Sequence, residues 1–89
     1  CAVWQVPASD PVTRTPVRSS VPTLVLAGRM DPVTPVAWAE AAARSLDDVA
    51  LVVSSRWSHA PSSWDRCAAH VVARFLDSGD RPSTLSADC

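Results

Sequence analysis

The chain has 89 residues, with 8 basic and 9 acidic side chains and a formal net charge of -1. This length allows one small domain at most, and a domain of this size is only marginally stable on its own core. The balanced charge gives no basic surface for nucleic acid or for an anionic membrane. The apolar stretches are far shorter than a membrane-spanning helix requires.

The first 22 residues carry prolines at positions 7, 11, 16 and 22. Proline interrupts both helices and central strands, so residues 1–22 are predicted to be an extended lead-in that lies on another part of the protein. Its apolar side chains would be the anchors: Val3, Trp4, Val6, Val12, Val17 and Val21. The N-terminal residues lack the basic and apolar pattern of a signal peptide.

Two short apolar runs, residues 21–27 and 49–54, are predicted to be strands. Residues 23–89 are predicted to be the βαβα part of the domain, after the lead-in. Continuous apolar runs of this length are typical of parallel strands that are covered on both faces. Helical patterns follow each run, so the order is βαβα and the strands should pair in parallel with a right-handed crossover. Two such strands cannot complete a sheet alone, and we expect the chain to be a C-terminal piece of a larger α/β domain.

Capping residues predict where the helices begin and end. Thr34 would cap the first helix, with Pro35 at its first position, and this helix would run through residues 36–46. Ser62 or Ser63 would cap the second helix, which would run to about residue 76 and present apolar side chains on one face. Ser78 and Gly79 would end it, with Gly79 in the left-handed conformation. The apolar face is formed by Cys67, Ala68, Val71, Val72, Phe75 and Leu76.

Polar residues follow both predicted strands. Asp31 comes shortly after the first strand, and His59 comes shortly after the second. Ligands and reacting groups of open α/β sheets lie beyond the carboxyl ends of the strands, so the two side chains could meet there. An Asp that orients a His is what an acyl-transfer triad requires, and Asp precedes His in α/β-hydrolases.

The three cysteines, Cys1, Cys67 and Cys89, leave one thiol without a partner inside the chain. Their spacing contains no C-x-x-C pair, so a zinc site is not expected. A Cys67–Cys89 bridge would close a loop of 23 residues. In the chain-entropy model it would contribute about 3 kcal/mol, and it would imply an oxidising compartment. The alternative is three reduced, buried thiols.

The sequence "PTLVLAGRMDPVTPVAWAEAAARSL", followed by "WSHAPSSWDRCAAHVVARFLDSGDRPSTLSADC", resembles the C-terminal region of the tripeptidyl aminopeptidase-like α/β-hydrolases. These are serine exopeptidases, mostly bacterial and often secreted. The resemblance rests on G-x-x-D-P-V-T-P, on the His about one strand later, on the Cys that follows it, on "FLDSGDRP" and on the terminal Cys. "CAVW" also resembles a Cys-x-x-Trp that precedes this region in the family.

The resemblance implies a partial α/β-hydrolase fold and gives the polar residues roles. Asp31 would be the triad acid and His59 the triad base, Cys67 would pair with Cys89, and Cys1 would pair with an upstream cysteine. Gly28 would let the backbone turn off the strand toward the His loop. No metal or organic cofactor is implied. The partners would be a peptide substrate and the N-terminal remainder of the hydrolase.

The chain departs from the family beside the His and at the nucleophile. Ser58 and Ala60 flank His59, where the family often has glycine, and G-x-S-x-G does not occur. The resemblance leads us to expect the C-terminal part of a bacterial serine aminopeptidase that is secreted or located in the cell envelope. Because the nucleophile is missing, this chain alone would be inactive, and it could self-associate. The alternative is a small secreted module, stapled by a disulfide, that binds a partner or has a structural role without catalysis.

Overall fold

A computed structural model describes residues 3–79 of the chain. Two parallel strands alternate with two α-helices, and a one-turn 3-10 helix precedes the first strand and another precedes the second α-helix. The bounds are Pro11–Arg14 (3-10), β1 Thr23–Gly28, α1 Val36–Ala43, β2 Val49–Ser54, Pro61–Ser63 (3-10) and α2 Arg66–Ser78. The predicted βαβα order and the parallel pairing are confirmed, and the chain has a partial α/β fold.

The register of the sheet places both strand ends at one edge. Thr23 lies opposite Val49, and Gly28 lies opposite Ser54. Helix α1 packs against both strands, and α2 packs against β1. Because the strands are parallel and in step, the loops that leave Gly28 and Ser54 emerge side by side.

A small core lies between the two-stranded sheet and α2. Val52, Trp57 and Ala68 are fully buried, and the half-buried Leu24 and Leu26 pack against them. Strand β2 alternates between buried and half-buried residues, so within residues 3–79 one of its faces is covered less than the continuous apolar run predicted. Many large apolar side chains are exposed instead: Val3, Trp4, Val6, Val12, Val17, Val21, Met30, Val33, Trp38, Trp64 and Leu76.

The lead-in is not extended throughout. The Asp10 carboxylate accepts a hydrogen bond from the Val12 amide and starts the 3-10 turn at Pro11. Further along, Ser19 forms a parallel bridge with Leu46. The six predicted anchors of the lead-in are all among the exposed side chains, so within the described part of the chain they pack on no core.

The predicted caps of both helices are wrong at their N-termini. Helix α1 begins at Val36 with Pro35 in the capping position and no side-chain cap, because the Thr34 hydroxyl is bonded to Asp31 instead. Helix α2 is capped by the Asp65 carboxylate, which accepts a hydrogen bond from the Ala68 amide.

The predicted ends of the helices are partly right. Helix α1 stops at Ala43, three residues early, because Leu46 pairs with the lead-in and the last turn tightens. The left-handed cap at Gly79 is confirmed, with φ 67° and its amide donating to the Phe75 carbonyl. In the described residues, neither helix is long and apolar enough to cross a lipid bilayer.

Gly28 is required for a close backbone approach, and not for the turn that the sequence suggested. Gly79 is the glycine with positive φ, so the backbone at Gly28 is of a kind that other residues adopt. A Cβ at Gly28 would lie 2.1 Å from the Trp57 carbonyl oxygen and 2.9 Å from the Ser58 carbonyl oxygen. The loop after β2 therefore crosses directly over the end of β1.

We expect Gly28→Ala to reduce the free energy of unfolding by about 3 kcal/mol or more, because the methyl group would overlap backbone atoms that have no room to move. Gly79→Ala is the matched control. Its Cβ would meet open space, and only the left-handed conformation would cost about 1–2 kcal/mol. Urea unfolding of the purified variants measures both, and equal losses would contradict the close approach as the reason for Gly28.

Candidate active site

Backbone hydrogen bonds join the loop after β1 to the loop after β2. The Arg29 amide donates to the Ser54 carbonyl at 2.9 Å, and the Met30 amide donates to the Trp57 carbonyl at 3.0 Å. These bonds continue the contact that begins at Gly28. Asp31 follows directly in the first loop, and the second loop reaches His59 two residues after Trp57.

The two predicted residues meet at the carboxyl edge of the sheet. Oδ2 of Asp31 lies 3.0 Å from Nδ1 of His59. The Asp31 side chain is 5% exposed, whereas the His59 side chain is 52% exposed. The carboxylate is therefore sheltered, whereas about half of the imidazole side chain is open to solvent.

Four donors surround the Asp31 carboxylate. Oδ1 accepts hydrogen bonds from the Val33 amide at 2.8 Å and from the Thr34 amide at 3.0 Å. Oδ2 accepts from the Thr34 hydroxyl and contacts His59. Asp side chains commonly bond the backbone two residues ahead in this way, and the Asp-Pro-Val-Thr segment folds back on the carboxylate as such a turn.

Hydrogen bonds determine the charge state of Asp31. Partial removal from water raises the pKa of Asp31. Hydrogen bonds from the hydroxyl and amide of Thr34, from the Val33 amide and from His59 lower the pKa by more than this. The net result is a pKa well below the ordinary value of 3.8. Asp31 is therefore an ionised acceptor at neutral pH.

An ionised acceptor determines the tautomer of His59. A carboxylate without a proton can only accept, so the contact at Nδ1 places the imidazole proton on Nδ1. The ring contacts of His59 to Asp31 and to Thr34 Oγ1, the latter at 3.3 Å, both involve this atom. Nε2 then carries the lone pair, which is the arrangement of a general base.

Local structure also holds the His59 loop. The Trp64 indole donates to the His59 carbonyl at 2.9 Å, and the Ser63 amide donates to the Ala60 carbonyl at 3.0 Å. Ala60 has φ 50° and ψ 56°, in the left-handed region. Non-glycine residues in that region are strained, so the chain holds the residue after His59 in a conformation that favours glycine.

Sequence reasoning identified Asp31 and His59 but missed two of their neighbours. The Thr34 hydroxyl donates to Asp31 and does not cap the helix. The D-x-x-T spacing alone does not indicate this, because Thr13 has the same spacing from Asp10 and donates to a backbone carbonyl. Trp64 is the second neighbour, and nothing in the sequence indicates its hydrogen bond to the His59 carbonyl.

The cysteine predictions are only partly within the described residues. Cys67 is buried on α2, whereas Cys1 and Cys89 lie outside residues 3–79, so both disulfides stay predictions. The second histidine, His70, is exposed on α2. Among residues 3–79, no three His, Cys, Asp or Glu side chains form a group that could hold a metal ion.

A comparison with known families assigns the chain to one of them. The family model described as TAP-like protein matches residues 1–89, which is the whole chain. The chain belongs to the TAP-like family of α/β-hydrolases. Neither the curated proteins nor the solved structures include a significant match to it. Because the TAP-like match includes the Pro-rich lead-in, this segment is part of the family region together with the βαβα unit.

We expect Asp31 of this TAP-like chain to stay ionised at pH 3.8, where an ordinary aspartate is half protonated. Its folded-state pKa is lowered, so its carboxylate stabilises the folded state above pH 3.8. That contribution is lost as the pH falls through the folded-state pKa. The chemical shift of the Asp31 carboxyl carbon, followed by NMR during acid titration, measures this, and a midpoint at 3.8 would contradict it.

We expect Ala60→Gly to raise the free energy of unfolding by about 0.5–1 kcal/mol. The left-handed backbone costs an L-residue about 1–2 kcal/mol, and the greater freedom of glycine in the unfolded chain offsets part of the gain. The matched control is Ala73→Gly on the exposed face of α2, which should lose about 1 kcal/mol. Destabilisation of both variants in urea unfolding would contradict strain at Ala60.

Proposed function

We propose that the chain is the C-terminal part of a serine hydrolase, of the tripeptidyl or prolyl aminopeptidase type, and that it supplies two members of the catalytic triad. Asp31 is the acid and His59 is the base. The observation that carries the proposal is the 3.0 Å contact between Oδ2 of an ionised Asp31 and Nδ1 of a half-exposed His59.

The proposed mechanism follows from the tautomer of His59. Nε2 accepts the proton of a serine hydroxyl as that serine attacks a peptide carbonyl, and His59 then donates the proton to the leaving amine. Water repeats the two steps and releases the acyl group. Asp31 keeps the Nδ1 proton in place and stabilises the imidazolium that forms twice in each turnover.

The nucleophile and the oxyanion hole would come from the N-terminal remainder of the hydrolase, because the chain contains no G-x-S-x-G. Eleven large apolar side chains are exposed in the described residues, and this exposed apolar surface supports a partner that covers part of it. Without that remainder we expect the chain to be inactive and prone to self-association.

The substrate of the proposed enzyme is the N-terminal end of a peptide, and no cofactor takes part in the reaction. We also propose that the protein is secreted or located in the bacterial cell envelope, and that Cys67–Cys89 is a disulfide. Both follow from the resemblance of the sequence to secreted aminopeptidases and from the cysteine spacing.

Labelling with a fluorophosphonate, which reacts with activated serines, tests the proposal on the full-length protein that carries this chain. We expect Asp31→Asn and His59→Ala to slow labelling by about four orders of magnitude, because each leaves the serine without a correctly oriented base. His70→Ala is the matched control, since His70 is the other histidine of the chain and is exposed on α2, and it should label at the wild-type rate.

The result also separates the enzyme from its alternative. A protein that labels on one serine, with a rate that depends on Asp31 and His59, is a triad hydrolase. A protein that does not label, or that labels equally well in both variants, is better explained as a disulfide-stapled binding or structural module. The 89-residue chain by itself should stay unlabelled in either case.

A further inference from the structure

The Thr34 hydroxyl is the third group at the contact between Asp31 and His59. It donates to Asp31 Oδ2 and lies 3.3 Å from His59 Nδ1. Asp31 Oδ2 and His59 Nδ1 are themselves 3.0 Å apart. The three polar atoms are thus mutual neighbours, and Thr34 is the one residue of the described chain with side-chain contacts to both members of the pair.

We propose that Thr34 is a positioning residue of the acid–base pair, holding Oδ2 of Asp31 in place and sharing the Nδ1 proton of His59. The inference rests on the proposed function, because the pair it positions is the catalytic one. Thr34 does not contact substrate in this role; it acts through Asp31 and His59.

The directions of the hydrogen bonds follow from the charge on Asp31. The carboxylate only accepts, so the Thr34 hydroxyl proton points to Oδ2. The lone pairs of Oγ1 are then free to accept, and the Nδ1 proton of His59 lies between Oδ2 and Oγ1 as a three-centre bond. Protonation of Nε2 during turnover leaves this proton on Nδ1, so both acceptors keep their roles when the imidazolium forms.

Thr34 is itself held at the carboxylate from two sides. Its amide donates to Asp31 Oδ1 while its hydroxyl donates to Oδ2. Removal of the hydroxyl would leave Oδ1 with its two amide donors and Oδ2 with His59 alone. The carboxylate would then keep its location in the turn but lose the group that orients its catalytic oxygen.

The chain contains a matched control for this geometry. Asp10 and Thr13 have the same D-x-x-T spacing, and Asp10 likewise accepts from the amide two residues ahead. The Thr13 hydroxyl donates to the backbone carbonyl of Asp10 and not to its carboxylate. A general effect of removing a threonine hydroxyl from such a turn would appear at both positions, whereas a positioning effect would appear only at Thr34.

Kinetics of the full-length enzyme on a peptide substrate provide the first test. We expect Thr34→Val to lower kcat about tenfold with KM unchanged. The substitution removes the hydrogen bond from the Thr34 hydroxyl to the charged Asp31 carboxylate, which stabilises the imidazolium in the transition state. Thr34→Ser should restore most of the rate, and Thr13→Val should match wild type. In the Asp31→Asn background, Thr34→Val should cause no further loss, because Thr34 acts through Asp31.

The NMR signal of the His59 Nδ1 proton provides a test that does not depend on turnover. Thr34→Val should shift or broaden this signal, and Thr34→Ser and Thr13→Val should preserve it. Circular dichroism checks that each variant is folded, and Thr34→Ala replaces Thr34→Val if the latter does not fold.

A wild-type kcat in folded Thr34→Val, an additive loss in the Asp31→Asn background, or an unchanged Nδ1 signal would each overturn the positioning role. Failure of the proposed function has a different signature, since Asp31→Asn would then leave fluorophosphonate labelling unchanged. In that case the NMR signal alone decides whether Thr34 orients the pair.

Discussion

The crossing of the Trp57–Ser58 backbone over Gly28 is the constraint on which the candidate site depends. With no side chain at Gly28, the two loops approach to within backbone contact, and the Met30 amide reaches the Trp57 carbonyl. Asp31 and His59 are each only a residue or two from these contacts. The 3.0 Å distance between Asp31 Oδ2 and His59 Nδ1 therefore follows from the packing of backbone on backbone. Such packing allows the two loops less relative movement than contacts between long side chains would.

The two loops of the site differ in their local structure: the Asp31 carboxylate is fully hydrogen-bonded, whereas the backbone at Ala60 is strained. Asp31 accepts four hydrogen bonds from its own loop and from His59, which keep its carboxylate ionised and oriented. On the other side, Ala60 adopts a backbone conformation that suits glycine, and the Trp64 indole holds the His59 carbonyl. Strain of this kind persists where surrounding contacts determine the geometry, and here they belong to the loop that presents the imidazole.

Sequence patterns predicted what periodicity and strand order control. The two apolar runs, the parallel pairing and the shared edge for Asp31 and His59 follow from rules about strand ends. The errors arose where a side chain had two possible partners. The Thr34 hydroxyl donates to the Asp31 carboxylate and not to the helix, whereas the Thr13 hydroxyl, at the same spacing from Asp10, donates to a backbone carbonyl. The reason for Gly28 depends on Trp57 and Ser58, which are distant in sequence, so no local pattern contains it.

Met30 illustrates what a site held by backbone atoms permits. Its amide forms one of the bonds that join the loops, while its side chain is 66% exposed and immediately precedes Asp31. Any residue other than proline supplies that amide. The side chain at position 30 can therefore vary in size, polarity or charge while the carboxylate stays in register, so this exposed position next to Asp31 in the chain tolerates substitutions that Asp31 itself does not.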